Sequence, residues 1–141
     1  MQNGTDGAAE AGGDPATVAR RYFRALAAGD QRTLGDLLAE DAVWHQPGRN
    51  RFSGRHEGAA AVAALVAGML ERSGGTLRVE PSGEPMPNGE LVAVPVRFRA
   101  ERDGARLDAA GVDLLTVREG RIVRVALFSA DGPGEDRFWG A

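Results

Sequence analysis

At 141 residues the chain has the length of one domain, and such a domain buries roughly 68–70% of the surface its unfolded form exposes, enough for a core and an internal cavity. The hydrophobic fraction of 43% and charged fraction of 26% are those of a soluble globular protein, and no apolar run approaches the ~20 residues that cross a bilayer, so no membrane partner is expected. Cysteine is absent, which excludes disulfides, thiolate catalysis and cysteine-based metal sites, while a net charge of −3 with arginines interleaved among acids argues against nucleic acid as a partner.

Residues 1–13 hold four glycines among alanine and polar residues, and read as a disordered lead-in with neither the basic nor the apolar segment of a secretory signal. A cytoplasmic location follows as the expectation. Asp14-Pro15 then forms an N-cap and first helical position, and Val18, Tyr22 and Leu26 recur at helical spacing until Gly29. Asp30 caps a second, shorter helix bearing Leu34, Leu37 and Leu38, which gives way to a strand over Ala42-Val43-Trp44-His45-Gln46 ended by Pro47-Gly48. Residues 47–58 read as loop. A third helix carries Val62, Leu65, Val66, Met69 and Leu70, and Ser73-Gly74-Gly75 ends it.

Strands follow near 76–81, 90–101, 105–118 and 121–130, joined by Asn88-Gly89, Asp103-Gly104 and Glu119-Gly120, dipeptides suited to tight hairpins. Val92, Val94, Val96 and Phe98 alternate with polar or small residues, and Pro95 marks an edge or a bulge because it has no N–H for the ladder. Val112-Asp113-Leu114-Leu115 is apolar on both faces. One face therefore lines the core and the other is covered, most simply by a second subunit in a homodimer. Residues 14–131 thus make up the domain, and 132–141 a tail in which Phe138-Trp139 must dock, either as a lid or on the outer sheet.

The run Arg21-Tyr22-Phe23-Arg24-Ala25-Leu26-Ala27-Ala28-Gly29-Asp30, then Asp41 to Pro47, then Gly111 to Val117 with Gly120-Arg121-Ile122-Val123, resembles the nuclear transport factor 2-like superfamily. Within it the SnoaL-like and ketosteroid-isomerase-like branch is the most similar. The resemblance implies an α+β fold, a curved antiparallel sheet wrapped around three helices as a cone with an apolar cavity, and homodimers in many members. It implies isomerase, polyketide cyclase or epoxide hydrolase chemistry, although the fold also hosts proteins without a catalytic role. By the same resemblance Tyr22 stands at the oxyanion-hole tyrosine of ketosteroid isomerases and Asp113 at their hydrogen-bond-donating aspartic acid. Their general-base aspartate falls on Gln46, and a glutamine cannot abstract a proton at neutral pH.

Asp113 lies among Val112, Leu114, Leu115 and Val117, where desolvation raises a carboxyl's pKa unless Arg97, Arg99 or Arg124 pairs with it. Tyr22 shares its helical face with Val18 and Leu26, so it is either a core tyrosine or the partner of Asp113. His45 titrates near neutrality but alternates with Gln46, so it faces the cavity only if a bulge precedes Pro47. Asp131, after Ser129 at the end of the last strand, is either a second base or a turn cap, as Asp131-Gly132-Pro133 suggests. Gln46, Trp44, Leu65, Met69, Val96, Phe98, Leu115, Val125, Leu127 and Ser129 are the expected lining. His45 and His56 match no metal-ligand spacing, and neither a metal nor a cofactor is expected. The expected function is acid–base catalysis on a small, apolar carbonyl or epoxide compound, a polyketide intermediate among the candidates. The alternative is a non-catalytic ligand-binding or dimerisation domain.

Overall fold

The computed structural model describes residues 13–141, so the lead-in expected over residues 1–13 lies, but for Gly13, outside the described residues. Helix α1 (Pro15–Ala28) is capped by the Asp14 carboxylate, which accepts from the Thr17 N–H at 3.2 Å, and ends on Gly29 at φ 66°. Helix α2 (Gln31–Leu37) is capped in the same way by Asp30. Leu38, which the leucine spacing assigns to that helix, is already extended (φ −86°, ψ 132°) and opens strand β1 (Leu38–Gln46). Strand β2 (Gly54–Glu57) arises inside the segment read as loop and pairs antiparallel with β1. Its residues are mostly exposed, so the apolar alternation that announces a strand is missing.

Helix α3 (Ala59–Arg72) buries Val62, Leu65 and Met69. Strands β3 (Arg78–Pro81), β4 (Met86–Asn88), β5 (Leu91–Arg102), β6 (Ala105–Arg118) and β7 (Arg121–Ser129) complete a seven-stranded sheet in the order β2-β1-β7-β6-β5-β3, with β4 also on β5. Every pairing is antiparallel but β1 with β7, so the sheet is mixed and open at both ends. No hairpin dictates the relative direction of those two strands, because most of the domain lies between them. The β5–β6 and β6–β7 turns place Asp103 and Gly104 at φ 48° and 78°, and Glu119 and Gly120 at 51° and 78°, the double positive φ of a two-residue hairpin.

Pro95 lies inside β5, where its neighbour changes from β3 to β4. Its carbonyl accepts from the Ser82 N–H at 2.8 Å, and since N and C=O of one strand residue point the same way, its missing donor falls in that gap. The inner face of the sheet carries Val92, Val94, Val96, Leu115 and Val125, each at most 1% exposed, against Val18 of α1, Val62 and Leu65 of α3. The outer face leaves Val112 and Phe128 36% and 54% exposed.

The tail is a fourth helix, α4 (Gly132–Trp139), started by Asp131 as N-cap with proline at its beginning. Phe138 and Trp139 join the core cluster at 3% and 1% exposure, so they lie neither over an open cavity as a lid nor on the outer sheet, but inside the core. Arginines hold the end of this helix: Arg72 Nε donates to the Trp139 carbonyl at 2.6 Å and Arg102 Nε to the Phe138 carbonyl at 2.7 Å.

Gly111 lets β6 close up where it approaches β7. A Cβ there would overlap the Phe128 carbonyl oxygen and come within 2.9 Å of the Phe98 ring. Gly111→Ala is therefore expected to lower stability by about 1–3 kcal/mol, as overpacking does, measured by urea unfolding.

Candidate active site

Alternation along β6 decides which side chain enters the cone. Asp113 pairs with Val94 of β5 and Leu127 of β7 and points inward between Leu115 and Gly111, while Val112 and Leu114 point out. It is 6% exposed. Arg97 and Arg99, two of its three expected cationic partners, project from the outer face and bind Asp108 at 2.7 and 3.5 Å, and the third, Arg124, is exposed. No ion pair among the described residues reaches Asp113. Tyr22, 2% exposed on the buried face of α1, stands edge-on to Phe23 with ring centroids 5.1 Å apart.

These two groups are electrostatically coupled. Burial, and then the charge of Asp113, raise the Tyr22 hydroxyl above its ordinary range and keep it a protonated donor. Burial, and then the neighbouring Glu135 carboxyl, push Asp113 up to about 7. No hydrogen bond to a described residue offsets either shift. Strongly desolvated titratable groups of this kind cluster at functional sites, although structural networks produce them as well.

Glu135, on the first turn of α4 and 5% exposed, is the third member, which sequence reasoning does not single out. Burial raises its carboxyl, while the Ser129 hydroxyl beside it pulls the other way. The Trp139 N–H is buried without a hydrogen-bond partner. A signal was present: after the Asp131-Gly132-Pro133 start, Glu135, Phe138 and Trp139 fall at the i, i+3, i+4 spacing of one helical face.

The remaining expected residues divide. Gln46 is buried on the inner face, where its Oε1 accepts from the Trp44 indole at 2.9 Å. The oxygen is thus occupied, and the amide NH₂ is left as a donor. His45 is separated from the site: its pairing with Arg55 continues regularly to Gln46 with Gly54, no bulge intervenes, and the ring lies on the outer face. Asp131 is also set aside as a base, because it is exposed and spends its carboxylate on the Gly134 N–H at 3.0 Å. Trp44, Leu65, Met69, Val96, Leu115 and Val125 belong to one packed core cluster, with Phe98 and Leu127 half-buried against it. Two clefts, of about 570 and 390 Å³, open on the outer sheet face and beside α4. Neither lies inside the cone, whose interior α4 helps to fill.

The model of the SnoaL-like domain family matches residues 19–125. The chain belongs to this family. Solved structures place it in the wider nuclear transport factor 2-like superfamily. One is a protein of unknown function with a cystatin-like fold from Xanthomonas campestris, 43% identical, covering 88% of this chain and 96% of that one at a TM-score of 0.85. A nuclear transport factor 2-like protein from Burkholderia xenovorans LB400 is 25% identical over 87% of this chain and 93% of that one, with a TM-score of 0.69. A Sinorhizobium meliloti protein provisionally described as a polyketide cyclase is 25% identical over 78% of this chain and 92% of its own, with a TM-score of 0.62.

The Asp113 shift sets a sign for the pH dependence of this SnoaL-like domain. Below about pH 4 the carboxyl is protonated in both folded and unfolded chains. Between about 4 and 7 only the unfolded chain releases the proton. Stability is therefore expected to fall as pH rises across that window, by something on the order of 4 kcal/mol for Asp113 alone, and Glu135 acts in the same direction. Asp113→Asn should make urea-unfolding stability less dependent on pH there. An unchanged slope would contradict a neutral buried acid, and a steeper loss toward low pH would signal an ion pair instead.

Proposed function

We propose that this protein is an acid–base catalyst that isomerises, cyclises or ring-opens a small, largely apolar carbonyl or epoxide compound, polyketide intermediates included. The observation that carries this reading is the pair of buried, coupled acids with no cation beside them, Tyr22 and Asp113, on the inner face of an apolar cone. Both are donors at neutral pH or just below. A phenolic O–H and a neutral carboxyl aimed at one ligand oxygen stabilise the negative charge that grows there when a neighbouring C–H or an epoxide C–O bond breaks. A neutral carboxylic acid beside a tyrosine is also the oxyanion-binding arrangement of ketosteroid isomerases, which these two positions resemble. The relative provisionally described as a polyketide cyclase is in keeping with such chemistry.

A second reading, a binding domain without catalysis, is favoured by one specific feature: Gln46 occupies the place of a base and is locked by Trp44 as a donor. Substituted phenols, whose oxygen mimics an enolate, separate the readings when combined with turnover of small ketones. Tyr22→Phe and Asp113→Asn are expected to remain folded, to weaken phenol binding and to lower turnover by ~10²–10³ each. Phenol binding that ignores both substitutions would end the oxyanion-site reading. Binding that responds while no carbon acid is ever turned over would favour the second.

The partner surface is part of the same proposal. Val112, Phe128 and Leu91 are exposed on the outer face, beside the cleft of about 570 Å³ floored by Leu114, Ala126 and His45. The His45 Nε2 is buried there with no hydrogen-bond partner. Asp41 and Glu90 on its rim alternate with Arg118 and Arg124, so the patch is suited to meet its own image across a two-fold axis. Leu114→Arg is expected to shift a homodimer toward monomer in sedimentation, because it buries an unpaired charge. A wild-type monomer at micromolar concentration would remove this interface.

A further inference from the structure

We propose that Gln46 is a second ligand-binding donor, set in the same row of the sheet as Asp113, and that the site therefore selects compounds with two acceptor oxygens, dicarbonyls or hydroxycarbonyls over simple ketones. Resting on the function proposed above, this narrows its substrate class. Strand register carries it. On β1, His45 pairs with Ala126 of β7, so Gln46, one step on, stands level with Leu127. Leu127 in turn pairs with Asp113 of β6. Gln46, Leu127 and Asp113 thus form one row across three adjacent strands, all on the inner face. Two inter-strand steps put the Cα atoms of Gln46 and Asp113 about 9–10 Å apart, and the inward curvature of the sheet brings their side-chain tips closer together.

The residue two places back sets the polarity of the Gln46 amide. An indole N–H can only donate, and that of Trp44 donates to Gln46 Oε1 at 2.9 Å. The oxygen is turned to Trp44, and the NH₂ is left with two hydrogens and no acceptor on any described residue. Nor is the nitrogen sealed in. Among the described residues, the buried side-chain polar atoms cut off from solvent without a partner are His45 Nε2 and Trp139 Nε1. Gln46 Nε2 and the Asp113 carboxyl oxygens, which bond to no described residue, are not among them. Each therefore keeps a little open surface, although the two residues are only 5% and 6% exposed. A nearly buried amide donor is costly unless a ligand or a water accepts from it.

The carbon skeleton joining two such oxygens has apolar contacts waiting for it. Leu127 lies between the donors. Gly111 precedes Asp113 on the inner face of β6, and the Phe98 ring comes within 2.9 Å of where a Cβ at Gly111 would stand. Leu127 and Phe98 are half-buried against the core, so of the side chains around Asp113 they are the ones with room to yield.

The test compares two phenols of similar shape by calorimetric titration: 3-hydroxyacetophenone, whose carbonyl supplies a second oxygen, and 3-isopropylphenol, which lacks it. Wild type is expected to bind the first about tenfold more tightly, the worth of one hydrogen bond. Gln46→Met keeps the length of the side chain but no donor, and should abolish that preference while 3-isopropylphenol binds as before. Trp44→Phe frees the amide to turn and should reduce the preference too, whereas a merely structural tryptophan would lower stability in urea and leave the preference alone. Tyr22→Phe should weaken both phenols alike. If Gln46→Met does not fold, Gln46→Asn, which withdraws the amide by one methylene, carries the test. The acetyl group also makes its phenol the stronger acid, and a preference due to that alone would persist in the variants. A preference that survives in a folded Gln46 variant, or equal affinities in the wild type, overturns the second donor and leaves the oxyanion site standing. A wild type that binds neither phenol overturns both.

Discussion

Asp113 is a carboxyl placed in an apolar interior with no cation beside it, and the cost of stripping water from its charged form is the constraint around which the site is organised. The domain does not lack arginines to neutralise it. Arg97 and Arg99 are spent on Asp108 outside the sheet. Arg72 and Arg102 reach the carbonyls at the C-terminal end of α4, where the helix dipole favours positive charge, while Glu135 sits at the other end of the same helix. Cations and buried acids are thus kept a helix length apart. Had one of those guanidiniums turned inward, Asp113 would be an ionised half of a salt bridge, with no proton to donate.

The strand period carries the same separation across the sheet. On β6, Asp113 and Leu115 enter the core while Val112 and Leu114 form the outer apolar patch, and on β1 Gln46 enters while His45 does not. A slip of one residue in either strand would exchange the two sets. Regular pairing of His45 with Arg55 and of Asp113 with Val94 and Leu127 therefore fixes chemistry as well as packing. It puts the His45 imidazole on the outer face of the sheet and the Asp113 carboxyl on the inner one.

What was legible in the sequence follows from which signals are local. Caps, glycine stops and hairpin dipeptides mark α1, α3 and the long strands, and alternation alone tells inner from outer on β6. Leu38 fits a helical leucine stripe, yet it is extended because pairing with Ile122 of β7, far away in the chain, outweighs local spacing. The exposed strand β2 has no hydrophobic pattern to read. Glu135 is hidden by its chemistry: a glutamate in a polar, glycine-containing tail reads as solvated, and only docking of Phe138 and Trp139 into the core buries it. The open cavity implied by resemblance differs from the structure for the same reason, since a tail read as an optional lid is instead part of the core.

The position of α4 then decides what the tail buries. Its inward face combines Phe138 and Trp139 with Glu135, and Trp139 stands edge-on to Phe52 at 5.2 Å. Asp136 on the same helix accepts from the Arg49 N–H at 2.8 Å and from the Asn50 amide at 2.9 Å, which ties α4 to the loop that follows Gln46. Arg72 of α3 and Arg102 of β5 hold its last carbonyls. The burial of Glu135 therefore depends on the docking of the whole tail, because its own turn supplies no apolar cover and the rings one turn further along do.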